Sequence, residues 1–169
     1  MIEIDTLALE NKEDNMDINF KDINNENIEK VKGLKIKKNQ EGFIETVDEC
    51  LKEASLYKEW YPVAIYNYDE VIGFAMYGSF GPNKHTWIDR ILIDDKQQNK
   101  GFGKAAMKLL IDIVSQTYGV DTIYLSIVEE NEVAYKLYTS IGFQYMNEKD
   151  PSNGELMFKY ELKDKNLNR

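Results

Sequence analysis

The sequence predicts a mixed α/β fold, and three observations carry that expectation. From Tyr61 to Ile93, β-branched and aromatic residues dominate, broken only by the turn signals Asn67-Tyr68-Asp69 and Gly81-Pro82-Asn83. That pattern gives three consecutive antiparallel strands near 62–67, 70–79 and 85–93. Helical spacing then returns through Met107, Leu110, Ile111, Val114 and Tyr118, with Gly119 placed to end the helix. Beyond it come a strand, a second and shorter helix and two more strands, so crossover helices must pack on a sheet.

The elements follow in order. Residues 1–15 carry five acidic residues and one short apolar cluster, and read as an extension outside the main fold, disordered or packed as an extra strand. Ile18-Asn19-Phe20-Lys21 alternates like a short strand. Asn24 and Asn25 can cap a helix running to Gly33. Residues 40–58 read as the first strong helix, with Val47, Cys50, Leu51 and Ala54 on one face and Glu45, Glu49 and Glu53 on another. The long helix spans 101–118, and Thr122 to Ile127 is an apolar strand. Ala134, Leu137, Tyr138 and Ile141 mark one face of a helix over 131–141, closed by Gly142, and strands near 143–148 and 155–162 complete the domain. A polar tail, 163–169, follows a single domain over 16–162.

A chain of 169 residues with 43% hydrophobic residues supports one core. Its longest apolar stretches, such as Ile88 to Ile93, are interrupted by charge and fall far short of the roughly 20 residues that span a bilayer. The acidic start Met1-Ile2-Glu3-Ile4-Asp5 lacks the basic, then apolar, pattern of a secretory signal. With Cys50 as the single cysteine, no internal disulfide can form, and the expected compartment is the reducing cytoplasm. A net charge of −9 argues against nucleic acid and is compatible with a cationic partner, although on charge alone a solvated acidic surface is the better explanation.

The most informative segment runs from Trp87 through Asp94 into Gln98-Asn99-Lys100-Gly101-Phe102-Gly103-Lys104 and the long helix. A strand that leads through a glycine-containing loop into a helix start presents unpaired N–H groups and the positive end of a helix dipole. Gly101 and Gly103 let the backbone approach an anion, and Lys100 and Lys104 add charge. From spacing alone, the same glycines serve a tight strand-to-helix turn. P-loop spacing fails here, and the third glycine of a dinucleotide fingerprint is missing.

This segment resembles the pyrophosphate loop of the GNAT acetyltransferases, with Gln98, Gly101 and Gly103 at the spacing Q/R-x-x-G-x-G/A. A second stretch, Asn131 to Phe143, resembles that superfamily's N-x-x-A-x-x-L-Y-x-x-x-G-F signature through Asn131, Ala134, Leu137, Tyr138, Gly142 and Phe143. Gln40 to Thr46, Val71 to Gly78 and Trp87 to Asp94 further resemble stretches of bacterial spermine/spermidine acetyltransferases. The resemblance implies a mixed, mostly antiparallel sheet of about seven strands, splayed between the fourth and fifth and flanked by about four helices. It also implies acetyl-CoA as co-substrate with no metal, a small amine as acceptor, a polyamine in the subfamily, and a homodimer as the family's habit.

Residue roles follow from the resemblance. Ile91, Leu92 and Ile93 would pair through their backbone with the pantetheine arm, and Gln98, Asn99, Lys100, Gly101, Phe102, Gly103, Lys104 and Asn131 would hold the rest of the cofactor. Tyr138 would lie near the CoA sulfur and protonate the departing thiolate; from periodicity alone it is a core tyrosine. Strict alternation puts Asp89 on the same side of its strand as Trp87 and Ile91, where a carboxylate can bind an ammonium and accept its proton directly or through water. A plain ion pair with Arg90 is the other reading. Glu45, Trp87 and Glu155 are the remaining candidates for binding the amine. His85, the single histidine, has no triad or metal set to join.

Overall fold

A computed structural model describes residues 16–43 and 45–163. The expectations for residues 1–15, and for most of the tail, lie outside the described residues. Seven strands form one sheet in the order β1-β2-β3-β4-β5-β7-β6: β1 Ile18–Asp22, β2 Trp60–Asn67, β3 Glu70–Phe80, β4 His85–Ile93, β5 Thr122–Ile127, β6 Gln144–Lys149 and β7 Leu156–Glu161. Four α-helices flank it: α1 Ile28–Lys32, α2 Val47–Leu56, α3 Phe102–Tyr118 and α4 Glu132–Ile141. All neighbours are antiparallel except β4 and β5, which are parallel because α3 crosses between them.

Two cores sit on opposite faces of the sheet. Ile65, Ala75, Tyr77, Ile88, Ile123, Leu125 and Phe158 meet Ala106, Met107, Leu110 and Val114 of α3, with Tyr138 and Ile141 of α4 packed alongside. On the other face, Ala64, Phe74 and Met76 meet Val31 of α1 and Val47 and Cys50 of α2. Cys50 is 1% exposed, and burial pushes its thiol up to about 12, so it is an inert core residue.

The first strong helix is shorter than its periodicity suggests. A turn of 3-10 helix at Lys38–Gln40 comes first, Gly42 takes a positive φ, and α2 starts only at Val47. Thr46 is the reason. Its hydroxyl accepts from the Glu49 N–H at 3.2 Å while the Glu49 carboxylate accepts from the Thr46 N–H at 2.8 Å, a reciprocal cap that fixes the helix start. Glu45 therefore stands before the helix, and Glu45, Glu49 and Glu53 form no common helical stripe. Thr46 also holds the Glu49 carboxyl below its ordinary range by hydrogen bonding to its charged form.

A second departure matters more for the site. Across β3 and β4, Met76 faces Arg90 but Tyr77 faces Ile88, so Asp89 is an extra residue opposite no partner. This β-bulge breaks the period of two. Ile88 and Ile91 both pack toward the α3 core, whereas Arg90 lies opposite Met76 on the α2 side. Asp89 thus does not share a face with Ile91, as strict alternation requires.

Candidate active site

β4 and β5 are joined at a single pair, Trp87 opposite Tyr124. Past that point the strands part, because β4 runs toward the loop that feeds α3 while β5 turns to pair with β7. The gap is a cleft of about 440 Å³. Ile91, Leu92 and Ile93 form one wall, the loop and first turn of α3 form its end, and Asn131, Ala134, Leu137 and Tyr138 of the α4 segment form the other wall. Gln98, Asn99, Gly101, Phe102, Gly103 and Lys104 all line it. Lys100 does not; its ammonium donates to Gln97 at 3.3 Å.

The end of the cleft is built to receive an anion. Gly101, the residue before α3, has φ of 84° and no side chain to cap the helix. The first intrahelical bond runs from the Ala105 N–H to the Gly101 carbonyl, so the N–H groups of Phe102, Gly103 and Lys104 precede the ladder. The positive pole of a 17-residue helix faces the same space. A β-carbon at Gly103 would meet only side-chain atoms of Ile93 and Leu137, at 3.7 and 3.9 Å. Packing within the chain does not demand glycine there, and a close ligand would.

Two predicted cofactor residues have structural tasks of their own. Gln98 and Gln40 exchange side-chain amide bonds at 2.9 and 3.0 Å, and Gln98 also donates to the Ile93 carbonyl at 2.9 Å. Its side chain braces the end of β4 against the segment before α2. Asn131 caps α4 by accepting from the Ala134 N–H at 3.2 Å. Tyr138 is partly exposed to the cleft, with Phe143 edge-on at 6.0 Å, and desolvation pushes its phenol well above the ordinary 10. It therefore remains a protonated donor across the physiological range.

Upstream on β4, Asp89 lies within electrostatic reach of three other carboxylates. Asp89 is coupled to Glu53 of α2, to Glu45 before α2 and to Glu155 at the start of β7. Its side chain is 17% exposed, and desolvation, reinforced by those carboxylates, pushes its pKa up to about 6 despite the neighbouring Arg90. Arg90 reaches the Asp89 carboxylate at 2.5 Å and Glu45 at 2.7 Å. The nitrogen that approaches Asp89 donates its aligned hydrogen bond to the Asp89 carbonyl at 3.0 Å instead, so the carboxylate contact is ionic and one buried Asp89 oxygen has no hydrogen-bond donor. Glu155 accepts from Ser126 at 2.8 Å and Asn153 at 2.9 Å, which fixes its carboxylate beside β5.

Aromatic rings extend this acidic face. Trp87 lies 5.6 Å from Tyr124 and 5.3 Å from His85, and Tyr124 lies 4.4 Å from His85. The Trp87 indole N–H donates to His85 Nδ1 at 3.1 Å, so His85 orients the tryptophan. Sequence reasoning gave His85 no task, though the H-x-W spacing on one strand face was a usable signal. Arg90 and Gln40 were missed as site residues because their partners are distant in the chain.

The described residues contain no group of three or more side chains arranged to hold a metal ion. None of their helices is long and apolar enough to cross a membrane.

Fold and cleft together define an acyl-CoA-handling class of enzyme, and residues 33–143 match the model of the acetyltransferase (GNAT) family. The chain belongs to that family, and its chemistry is acetyl transfer. It is 38% identical over 153 residues to the spermine/spermidine N(1)-acetyltransferase of Bacillus subtilis (strain 168), an alignment covering 87% of this chain and 100% of the relative. The fold is shared with a Bacillus subtilis acetyltransferase solved in complex with CoA (TM-score 0.62, 18% identity, 88% and 99% of the two chains). It is shared too with the PaiA N-acetyltransferase of Thermoplasma acidophilum, in complex with coenzyme A (TM-score 0.61, 15% identity, 86% and 99%).

Proposed function

We propose that this protein transfers the acetyl group of acetyl-CoA to a primary amine of a polyamine such as spermine or spermidine, by direct attack in a ternary complex in the cytoplasm. The observation that carries this reading is the nearly buried Asp89 carboxylate, held with Glu45 on one guanidinium just upstream of the cleft, with Glu53 and Glu155 adding negative charge around it. A monoamine needs one such carboxylate. A chain of ammonium groups uses several, and the 38% identical relative is named for spermine and spermidine. Trp87, steered by His85, offers a ring face to a cationic or aliphatic arm. Successive same-face side chains on a strand are about 6.6 Å apart. Four or five single bonds of about 1.5 Å separate neighbouring polyamine nitrogens by about 5–6 Å, so nitrogens near Asp89 and Trp87 fit one extended molecule.

In this reading the cofactor's pyrophosphate rests on the N–H groups that open α3, with Lys104 adding charge, and its pantetheine arm lies along Ile91 to Ile93. The incoming amine is an ammonium at neutral pH and cannot attack until it loses a proton. Asp89 binds the cation and takes that proton, directly or through water. The nitrogen then bonds to the acetyl carbonyl carbon, polarised by backbone N–H groups of β4 on the side that β5 has left open. As the C–S bond breaks, Tyr138 gives its proton to the sulfur, and the nitrogen, now bonded to the acetyl carbon, sheds its second proton through solvent, from which the phenolate is reprotonated. No covalent enzyme intermediate and no metal enter the reaction.

Release of free CoA thiol by purified protein tests the proposal, with spermine and spermidine compared against lysine, a peptide amine and an aminoglycoside. Saturable turnover with the highest kcat/KM for the polyamines is the expected result. A higher kcat/KM for another amine overturns the polyamine assignment and leaves acetyl transfer intact.

A further inference from the structure

We infer that Arg90 is a positioning residue for the transfer step: from the bulge in β4 its guanidinium clamps the Asp89 carboxylate to Glu45 and keeps Asp89 in the anionic form that receives the amine. The inference rests on the proposed role of Asp89 and on no particular identity of the amine.

The geometry is specific to this arrangement. Without the bulge, Asp89 and Arg90 would point to opposite faces; with it, both reach the side covered by α2. Arg90 is 16% exposed and engages two carboxylates with its two terminal nitrogens, Asp89 at 2.5 Å and Glu45 at 2.7 Å. The groups acting on Asp89 are Glu53 from α2, Glu45 from the segment before it, Glu155 from the start of β7, and Arg90. Arg90 is the one cation among them, so it alone offsets desolvation and three like charges. Cys50, on the α2 face beside Arg90, is held as a neutral thiol and contributes no charge. A guanidinium stays charged at every working pH, which suits a permanent counter-ion. The Asp89 oxygen that lacks an aligned hydrogen-bond donor is the one held in this ionic contact, so the guanidinium and not a neighbouring N–H stabilises its charge.

Glu45 has a second importance. It is adjacent to Thr46, the cap of α2, and follows the segment whose Gln40 and Phe43 line the cofactor cleft. Through Glu45, Arg90 ties the amine side of β4 to the segment that covers the cofactor side.

The test is the acid limb of the kcat/KM profile, measured with whichever amine reacts fastest, on the full chain and on Arg90→Gln, Arg90→Lys and Glu45→Gln. In the unaltered protein the limb is expected near 6, set by Asp89. Arg90→Gln should move it up by about 1–3 pH units, since an opposite charge at this range is removed. Arg90→Lys should restore part of the shift. Glu45→Gln should move the limb the other way, because it removes a like charge and frees the guanidinium for Asp89.

A uniform loss of rate in Arg90→Gln with an unmoved limb overturns the inference. If Arg90→Gln does not fold, Glu45→Gln decides, and an unmoved or upward limb refutes the clamp. Should no amine react at all, the Asp89 carboxyl titration followed by carbon NMR in the same variants reads the same shifts, separating failure of the clamp from failure of the proposed function.

Discussion

Asp89→Asn should make the protein more stable and less active at once, and the stability gain should depend on pH in a way the structure specifies. The Asp89 pKa rises from a reference of 3.8 to about 6 in the folded chain. The folded state therefore holds a proton that the unfolded state has released between those values, and unfolding free energy falls as pH rises through that window. Above about pH 6 the ionised carboxylate costs its full amount. Two pKa units correspond to about 3 kcal/mol at about 1.4 kcal/mol each, an upper figure for a side chain still 17% open to solvent. Asparagine has nearly the shape of the neutral acid and carries no charge, so it removes that cost while Arg90 keeps Glu45.

Urea unfolding of both proteins at several pH values from 4 to 8 is the assay. The stability difference should be small near pH 4, open through pH 6 and level off above it, while kcat/KM falls at every pH where the parent is active. At the plateau, the melting temperature of a chain this size should rise by about 2–4 °C per kcal/mol. A pH-independent difference, or an asparagine variant less stable than the parent at pH 7.5, would refute the reasoning. The second result would mean that the attraction to Arg90 exceeds the desolvation cost.

Two further outcomes probe the cleft. Tyr138→Phe should lower kcat by about 10²–10⁴ if the phenol supplies general acid catalysis, with acetyl-CoA affinity measured by calorimetry unchanged; an equal kcat removes Tyr138 from the mechanism. Gly101→Ala forces a β-carbon onto a residue at φ 84° that leads into the anion-binding turn, and should cost about 1–2 kcal/mol of stability and raise the acetyl-CoA KM. Unaltered cofactor affinity in that variant would mean that the turn is not where the pyrophosphate sits.

Much of the fold is legible in the chain because its signals are local. The apolar run from Thr122 to Ile127 is the strand found there, buried at alternate residues and not throughout, and Gly119 and Gly142 end α3 and α4 where helical spacing stops. The glycine loop into α3 and the Asn131-to-Phe143 helix needed only neighbours within a few residues to be recognised. Where the reading failed locally, at residues 40–46, the Thr46–Glu49 cap was itself visible as T-x-x-E and outweighed the apolar and acidic spacing that suggested a longer helix.

The sequence by itself determined the order of elements, the resemblance to the family and most of the residues that line the cleft beside β4, while it added Lys100 and left out Gln40 and Phe43. Tertiary structure alone decided how the acidic face works. The parity of β4 after Ile88 depends on its register with β3, and one unpaired residue there turned Asp89 and Arg90 to the same side. The Gln40–Gln98 amide pair spans 58 residues, and Glu45, Glu53, Asp89 and Glu155 come from four separate segments. Desolvation and charge coupling are sums over neighbours in space. No periodicity along one strand or helix encodes them, which is why Asp89 could be singled out from its strand while the rise in its pKa, caused by burial and by carboxylates from other segments, could not.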